Sequence, residues 1–561
     1  MPAAPQKDPI DWVTRAADDA IRHAGEGKPV TVASGASPSG PIHLGNLREF
    51  LTPHFVAEEL RRRGVEVRHL HSWDDYDRYR KVPAGVPAEW VEHIGKPLTA
   101  VPDPWECHAN WSDHFKAPLR DALAEMGVEM EEISQTERYQ AGAYVDQVLH
   151  AIAHRDRIED VLSRYRTKPV AAESEQEAEA LADSVTADEE SAGAGDFARF
   201  PYKPYCRGCG KDTTTITAYD DETTDLAYTC DSCGESHVTN VRTQFEGKLV
   251  WKVDWPMRWA YEGVNFEPGG LDHSTPGSSY TVGKELVAEI FDGKAPSYVA
   301  YAFVGFAGRQ KMSSSAGGVP IPADALKILE APMVRWLYVR RQPKQAFNID
   351  FGPEVVRLYD EWDSLTRKAA NPEKRDAAVL AWERASSTAA AGTLPTPAVV
   401  TPFRLLSSVA DVTAGNVDVI TSVVAGSGYS VTSADDLEPR LRRAMAWMSE
   451  YVPAEDRTTV RLSPASRLQE LTPQESEWIS LLLEHLPETY TLEELTTVIY
   501  GVPKLARGFA LEDQPTDEVK ADQKAFFALL YDLLVAAERG PRLPTLFLAL
   551  GDGTVRNLLS A

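Results

Sequence analysis

The first seventy residues combine two hydrophobic periodicities. Residues 29–33 (PVTVA) and 65–70 (VEVRHL) are short β-prone runs. Between them, apolar residues recur at three- to five-residue steps: Leu44, Leu47, Leu51, Phe55 and Leu60. These steps predict an amphipathic helix that ends at Gly64. Strand, loop, helix and strand in this order form a βαβ unit, which predicts a parallel sheet.

The later sequence changes from an αβ pattern to a helical one. Residues 284–306 again combine a helical stretch with a strand, and they precede the loop AGRQKMSSSAGG. After about residue 325 the strand patterns largely end. Thr472–Glu475 and Thr491–Glu494 match capping boxes, and apolar stripes at 476–486 and 525–540 have helical spacing. We therefore expect an α/β part followed by a mostly helical part, with 386–400 as a linker or long loop.

Length and composition are those of a globular protein with several domains. The chain has 561 residues, of which 43% are apolar and 25% charged. It contains no run of eighteen apolar residues, so we expect no membrane span. Its first residues, MPAAPQKDPIDWV, lack the pattern of a secretory signal, and we expect a cytoplasmic protein.

The net charge of −26 argues against a nucleic-acid partner only at first sight, because the charge is unevenly distributed. Residues 173–196 hold nine acidic residues and no Lys or Arg, which predicts a solvated, disordered insertion. Basic clusters occur at 61–63 and near residue 340 (Arg335, Arg340, Arg341 and Lys344). An RNA partner therefore stays possible.

The stretch SPSGPIHLGN, residues 37–46, joins the first strand to the first helix. Pro38 stiffens the turn, and His43 and Asn46 are expected on the first turn of the helix. The N-terminus of a helix favours anions, and both side chains can donate hydrogen bonds to a phosphate that gains charge in a transition state. Alternatively, His43 only caps the helix or packs against it.

A second stretch, residues 311–315 (KMSSS), lies on a glycine-flanked loop in the second αβ region. Lys311, Ser313 and Ser314 could close over phosphates, although the spacing is not that of a Walker loop and a solvated connection is the alternative. Together, PxxGxxHLGN and KMSSS resemble the two signatures of class I aminoacyl-tRNA synthetases. In that family both motifs bind ATP.

The cysteines form two C-x-x-C pairs twenty residues apart: Cys206, Cys209, Cys230 and Cys233. This spacing is typical of a structural zinc site with four thiolate ligands, and disulfides or redox pairs are the alternatives. Cys107 remains outside the pairs, and we expect it to be an ordinary buried thiol. His108 and His237 are the obvious rival ligands.

Two segments could bind an amino acid. Residues 72–83 (SWDDYDRYRKVP) place Asp74, Asp75 and Asp77 after the second strand, where carboxylates could pair with an ammonium group or simply cap the next helix. Residues 251–261 (WKVDWPMRWAY) could form an aromatic wall for a lysine side chain or part of a core. On these residues alone, arginine or a polar amino acid would fit as well.

Several segments closely resemble the class I lysyl-tRNA synthetases, the archaeal-type enzymes also found in some bacteria: SGASPSGPIHLGNLRE, DDYDRYRKVP, WKVDWPMRWAY, GVNFEPGGLDH, KMSSSAG and ERGPRLPTLFLALG. The resemblance implies a Rossmann catalytic domain over 1–330, with an insertion at about 100–250 that carries the zinc site. It also implies helical connective and anticodon-binding regions over 331–561. The acidic insertion at 173–196 is unlike compact members of the family.

The resemblance also implies site residues. Lysine would contact Gly35, Ser37, His273 and Tyr301, with an aromatic side chain from Trp251 or Trp255. His43, Asn46 and Lys311 would bind ATP, with Mg²⁺ bridging its phosphates. The expected reaction forms lysyl-adenylate and then lysyl-tRNA(Lys).

The sequence departs from the family pattern at two places. Ala36-Ser37 replaces an expected Lys-Thr pair, and Leu271 interrupts a usually more polar segment beside His273. The alternatives are a class I synthetase for another amino acid such as glutamate, a nucleotidyltransferase, or a catalytically silent zinc-bearing RNA-binding protein.

Overall fold

The structure is a computed structural model, and it describes residues 10–166, 197, 199–274, 277–307 and 319–560. The chain divides into two compact units. The first comprises residues 1–325, 331–349 and 371–394, and the second comprises residues 326–330, 350–370 and 395–561. Among the described residues, no helix is both long and apolar enough to cross a membrane.

The elements are numbered in chain order. The strands are β1 (Val30–Ala36), β2 (Val67–Trp73), β3 (Glu131–Ser134), β4 (Tyr202–Pro204), β5 (Thr214–Tyr219), β6 (Asp225–Cys230), β7 (Ser236–Asn240), β8 (Gly247–Leu249), β9 (Phe266–Gly270), β10 (Ser297–Tyr301), β11 (Val304–Phe306), β12 (Phe347–Ile349), β13 (Ser387–Thr388) and β14 (Gly392–Thr393). The helices are α1 (Trp12–Ala24), α2 (Leu47–Arg62), α3 (Trp111–Glu125), α4 (Gln135–Gln140), α5 (Val145–Ala153), α6 (Arg155–Arg166), α7 (Trp251–Glu262), α8 (Ser279–Glu289), α9 (Pro322–Ile328), α10 (Ala331–Val339), α11 (Glu354–Ala369), α12 (Ala377–Ser386), α13 (Phe403–Val412), α14 (Val417–Gly426), α15 (Arg440–Tyr451), α16 (Pro473–His485), α17 (Leu492–Leu505), α18 (Asp517–Val535) and α19 (Leu543–Leu559).

A five-stranded parallel sheet organises the first unit. Its strand order is β10-β9-β1-β2-β3, and β1 pairs with β2 from Val30 opposite Val67 to Ala36 opposite Trp73. From β1 the chain adds β2 and β3 towards one edge of the sheet. Later, β9 and β10 are added on the other side of β1, towards the opposite edge. The order therefore reverses between β1 and β9, which is where open parallel sheets bind ligands. The predicted βαβ unit and parallel sheet are confirmed.

Helix α2 is the predicted amphipathic helix. Its apolar residues at three- to five-residue steps are almost fully buried, and the chain leaves the helix at Gly64 with φ of 74°. The helix begins at Leu47, with Asn46 in the N-cap position. His43 therefore lies in the turn before the helix, and its predicted place on the first helical turn was wrong.

Smaller sheets complete the first unit. β4 pairs with β8, and β5, β6 and β7 form an antiparallel sheet that carries the four paired cysteines near its ends. β11 pairs with β12 in parallel. The segment at 386–400, predicted as a linker or long loop, contains the short hairpin of β13 and β14, and the boundary between the two units falls within it, between Leu394 and Pro395.

All the secondary-structure elements described between residues 400 and 560, in the second unit, are helices. Thr472 and Glu475 form the predicted capping box of α16, and Thr491 caps α17 by accepting a hydrogen bond from the Glu494 N–H. Among residues buried in this unit, Arg440 bridges Glu330 at 2.7 Å and Asp363 at 2.8 Å. A buried arginine needs such compensation, because an unpaired buried charge is strongly destabilising.

Most arginines of the two basic clusters contact other groups of the protein. Arg335 is fully buried, and its guanidinium donates to the carbonyl groups of Arg384 and Ala385. Arg340 stacks on Trp336 at 3.9 Å, and the arginines at 61–63 all form ion pairs with acidic residues. Arg335 therefore does not contribute to a basic surface near residue 340.

Candidate active site

A large cavity of about 880 Å³ lies in the first unit at the carboxyl ends of the parallel strands. Its lining includes the ends of β1, β2, β9 and β10, the loop after β1, and one face of α7. The cavity thus spans the point between β1 and β9 where the strand order reverses. Its volume is at the upper end of the range for pockets that hold small molecules.

The loop after β1 places His43 and Asn46 on the cavity wall. The His43 N–H donates to Asn46 Oδ1 at 3.2 Å, and the Asn46 N–H donates to His43 Nδ1 at 3.3 Å. Because Nδ1 accepts a hydrogen bond, the proton of the neutral ring lies on Nε2, where it can be donated to an anion. Gly35 and Ser37 also line the cavity, whereas Pro38 is buried and does not.

Helix α7 supplies an aromatic wall. Trp251, Trp255 and Trp259 lie four residues apart on one face of the helix and all line the cavity. The Trp251 and Trp255 rings stack at 5.3 Å with an interplanar angle of 13°, and His273 contacts Trp255 edge-on at 5.7 Å. The structure thus brings together both candidate tryptophans and His273.

The floor of the cavity contains a carboxylate that the sequence analysis missed. Glu49, on α2, accepts a hydrogen bond from the Gly35 N–H at 3.1 Å and another from the Tyr301 hydroxyl. Burial raises the pKa of the Glu49 carboxyl well above its ordinary value, although Tyr301 and Gly35 act to lower it. The nearby carboxylates of Glu267 and Asp272 raise it further. A cation bound here would favour the ionised form.

The three aspartates after β2 are committed to cations of the protein. Asp74 lines the cavity but pairs with Arg258 at 2.8 Å. Asp75 pairs with Lys116 at 2.6 Å, and Asp77 pairs with Lys248. By contrast, Glu49 receives its hydrogen bonds from neutral donors, the Gly35 N–H and the Tyr301 hydroxyl. The geometry therefore favours Glu49 over Asp74 as the partner of a substrate ammonium group.

The two departures from the family pattern differ in their relation to the cavity, because Ala36 and Ser37 line it and Leu271 does not. Leu271 is 37% exposed and is not among the residues that line the cavity, although its neighbours Gly270 and Asp272 are. Ser37 retains a hydroxyl, which donates to the Asp74 carbonyl at 3.4 Å. The catalytic candidates Lys311, Ser313 and Ser314 and the acidic segment at 173–196 lie outside the described residues.

The four paired cysteines converge, and their sulfur atoms all lie within 4.8 Å of one another. The Sγ atoms of Cys206 and Cys233 are 3.7 Å apart, and those of Cys209 and Cys230 are 3.6 Å apart. Any two sulfur atoms bound to one tetrahedral zinc ion by Zn–S bonds of about 2.3 Å would be about 3.8 Å apart. The donor set and its spacing therefore fit zinc.

A second group of possible metal ligands consists of Asp103, Cys107, His108 and His114. Cys107 Sγ lies 3.2 Å from His108 Nδ1 and 3.2 Å from His114 Nδ1, and His114 Nδ1 lies 3.3 Å from Asp103 Oδ1. Cys107 is exposed, so its predicted role as an ordinary buried thiol was wrong. The sequence signal was the spacing D-x-x-x-C-H followed by His114, which lacks the form of a paired-cysteine motif.

Comparison with known proteins identifies the family. The model of the family "tRNA synthetases class I (K)" matches residues 10–387. The lysine–tRNA ligase of Streptomyces coelicolor is 52% identical over 100% of both chains. Those of Thermococcus kodakarensis and Pyrococcus horikoshii are 34% and 32% identical over 95% and 96% of this chain and 96% and 97% of their own lengths. Together with the cavity described above, these matches show that the chain belongs to the class I lysyl-tRNA synthetases, enzymes that act as lysine–tRNA ligases.

Proposed function

We propose that the cavity holds lysine and ATP side by side. The ammonium group would bind Glu49 and the Tyr301 hydroxyl, with Asp272 nearby. The apolar stem would lie along Trp251 and Trp255, because aromatic rings suit both methylene groups and a cation. The single observation that supports this orientation is the Glu49 carboxylate, which lies on the floor of the cavity and, within the described part of the chain, accepts hydrogen bonds from two neutral donors.

The lysine carboxylate would then attack the α-phosphate of ATP in line. A carboxylate oxygen–phosphorus bond forms, the bond to the bridging oxygen breaks, and pyrophosphate leaves with the electron pair. The protein contributes positioning and charge stabilisation, since no residue need act as a covalent nucleophile. His43 Nε2–H would donate to the phosphate as charge develops, with Asn46 beside it and Lys311, Ser313 and Ser314 on the second loop. Mg²⁺ bound to the phosphates would neutralise part of their charge.

The second step would transfer lysine from the adenylate to the terminal ribose of tRNA(Lys). We assign this catalysis to the domain over 1–330, and we assign anticodon recognition to the helical region over 331–561. The support is the family membership and the helical character of the described part of residues 400–560.

Both cysteine-containing clusters would bind zinc with a structural role, because each supplies four protein ligands and leaves no position for substrate. Cys206, Cys209, Cys230 and Cys233 would hold one ion at the end of the insertion sheet. Asp103, Cys107, His108 and His114 would hold the other at the N-terminal end of α3. Each ion would cross-link the segment around it and add folding free energy.

Metal analysis of the purified protein should find about two zinc ions per chain. Cys206→Ser should remove about one equivalent and lower the melting temperature, because the ion contributes folding free energy. Cys107→Ser should remove the other equivalent and leave the first in place, so each variant is the control for the other. Protein purified without chelator that contains no zinc and has five titratable thiols would contradict both sites.

The experiment that tests the proposed function is ATP–pyrophosphate exchange with each of the twenty amino acids, with and without tRNA. We expect exchange with lysine well above that with arginine or glutamate. Exchange with another amino acid at the lysine rate would show that the assignment of Glu49 and the aromatic wall to lysine is wrong.

A further inference from the structure

Glu267, on β9, is a second carboxylate on the cavity wall, and its side chain is almost entirely buried. Each of its oxygens accepts a hydrogen bond from a tryptophan of α7. The Trp255 indole N–H donates to Oε1 at 3.0 Å, and the Trp259 indole N–H donates to Oε2 at 2.6 Å. One carboxylate therefore holds two of the three rings of the aromatic wall.

Packing alone does not explain why a carboxylate is buried at this position. Burying a carboxylate is unfavourable, and an apolar residue of similar size would fill the same space without that cost. A tryptophan ring held only by packing keeps some freedom about its side-chain torsions. Two indole N–H groups bonded to one rigid acceptor lose that freedom. The position of Trp255 also fixes its neighbours, since it stacks on Trp251 and contacts His273.

We propose that Glu267 is a positioning residue for lysine, which fixes the planes of Trp255 and Trp259 so that the stem of the substrate finds a preformed wall. The proposal rests on the lysine site proposed above. Glu267 acts through the rings and does not itself bind the ammonium group, which belongs to Glu49.

The charges around Glu267 are consistent with this role. Burial raises the pKa of its carboxyl to about 7, and the two indoles and Arg258 limit the rise. Asp74 raises this pKa. Glu49 and Asp272 are further acidic residues that line the cavity, and His273 lies on the short helix Leu271–Ser274 that follows β9. The ionised form accepts both indole bonds most strongly, so the KM for lysine should fall as the pH rises through about 7.

The test is the series Glu267→Gln and Glu267→Leu, assayed by ATP–pyrophosphate exchange. Glutamine keeps one acceptor oxygen and leucine keeps none. We expect the KM for lysine to rise about tenfold in Glu267→Gln and further in Glu267→Leu, while kcat changes less than about twofold and the KM for ATP stays constant, because uniform ground-state binding is lost. The fall in the KM for lysine with rising pH should be weaker in both variants.

L-Norleucine, which has the lysine stem without the ammonium group, separates positioning from charge. As a competitive inhibitor it should lose affinity by the same factor as lysine in each variant. A loss confined to lysine would show that Glu267 acts as a charge and would overturn the proposal, as would an unchanged KM in both variants.

A matched control is Glu132→Gln. Glu132 also accepts a hydrogen bond from an indole, that of Trp73 at 2.6 Å, but it does not line the cavity. This variant should keep the wild-type KM for lysine.

If the wild-type protein does not activate lysine, the proposed function fails. If Glu49→Gln leaves the KM for lysine unchanged, the lysine site fails. An unchanged KM confined to the Glu267 variants refutes only the role of Glu267.

Discussion

His43→Ala is expected to lower the rate of lysine-dependent ATP–pyrophosphate exchange by about 100-fold or more, the effect of removing one preorganised donor from developing charge. The reason is the local geometry. His43 Nδ1 accepts the Asn46 N–H, which leaves the ring proton on Nε2 at the wall of the cavity. Alanine removes that donor and opens space for water. The measurement is single-turnover adenylate formation at saturating lysine and ATP.

The control must separate catalysis from folding, because His43 is only 8% exposed. His93 is similarly buried at 9% exposure, lies in the same unit and does not line the cavity. His93→Ala should therefore keep the wild-type exchange rate. Lys311→Ala should resemble His43→Ala, on the basis of the KMSSS motif. Adenylate formation at the wild-type rate in folded His43→Ala protein would show that the loop after β1 does not stabilise the transition state.

The parts of the fold that the sequence predicted are those set by local periodicity. The steps between Leu44 and Leu60 follow from the helical repeat, and the β-prone runs on either side of them are confirmed as β1 and β2. The loop between β1 and α2 could be placed at the cavity because parallel sheets bind ligands at their carboxyl ends. The cysteine pairs converge as predicted, since two C-x-x-C turns on one sheet bring their sulfur atoms together.

The residues that the sequence did not reveal depend on contacts between distant segments. Glu49 is an ordinary glutamate on an amphipathic helix until Tyr301, 252 residues away, donates to it. Asp74 looked like a candidate for an ammonium group, but Arg258, 184 residues away, neutralises it. Charge and spacing within one segment could not distinguish these cases, because the partner decides whether a carboxylate is available. The only local signal for Glu49 in the sequence was its position three residues after the HLGN motif, in the first turn of an amphipathic helix.

The proposed ammonium site would account for the choice of lysine over an uncharged amino acid of the same length. Among the described residues the hydrogen-bond donors to Glu49 are neutral, and such a buried carboxylate would gain from a substrate cation, because the attraction is strong where water is largely excluded. Burial raises the pKa of Glu49 well above its ordinary value. Because a bound ammonium group favours the ionised carboxylate, the affinity for lysine should rise as the pH increases.

Glu49→Gln is therefore expected to raise the KM for lysine by about 100-fold, the effect of losing a charge-assisted hydrogen bond of about 1.5–3 kcal/mol. The KM for ATP should change little, since the proposed position of the phosphates is by the His43 loop. Tyr301→Phe removes only the neutral donor and should have a smaller effect of about tenfold. Both values follow from the initial rate of pyrophosphate exchange as a function of lysine concentration at several pH values. The KM of Glu49→Gln should lose the part of its pH dependence that comes from Glu49, because glutamine does not titrate, and should keep the part that comes from Glu267. A lysine KM within about threefold of the wild-type value would instead place the ammonium group at another carboxylate, with Asp272 as the next candidate on the same wall.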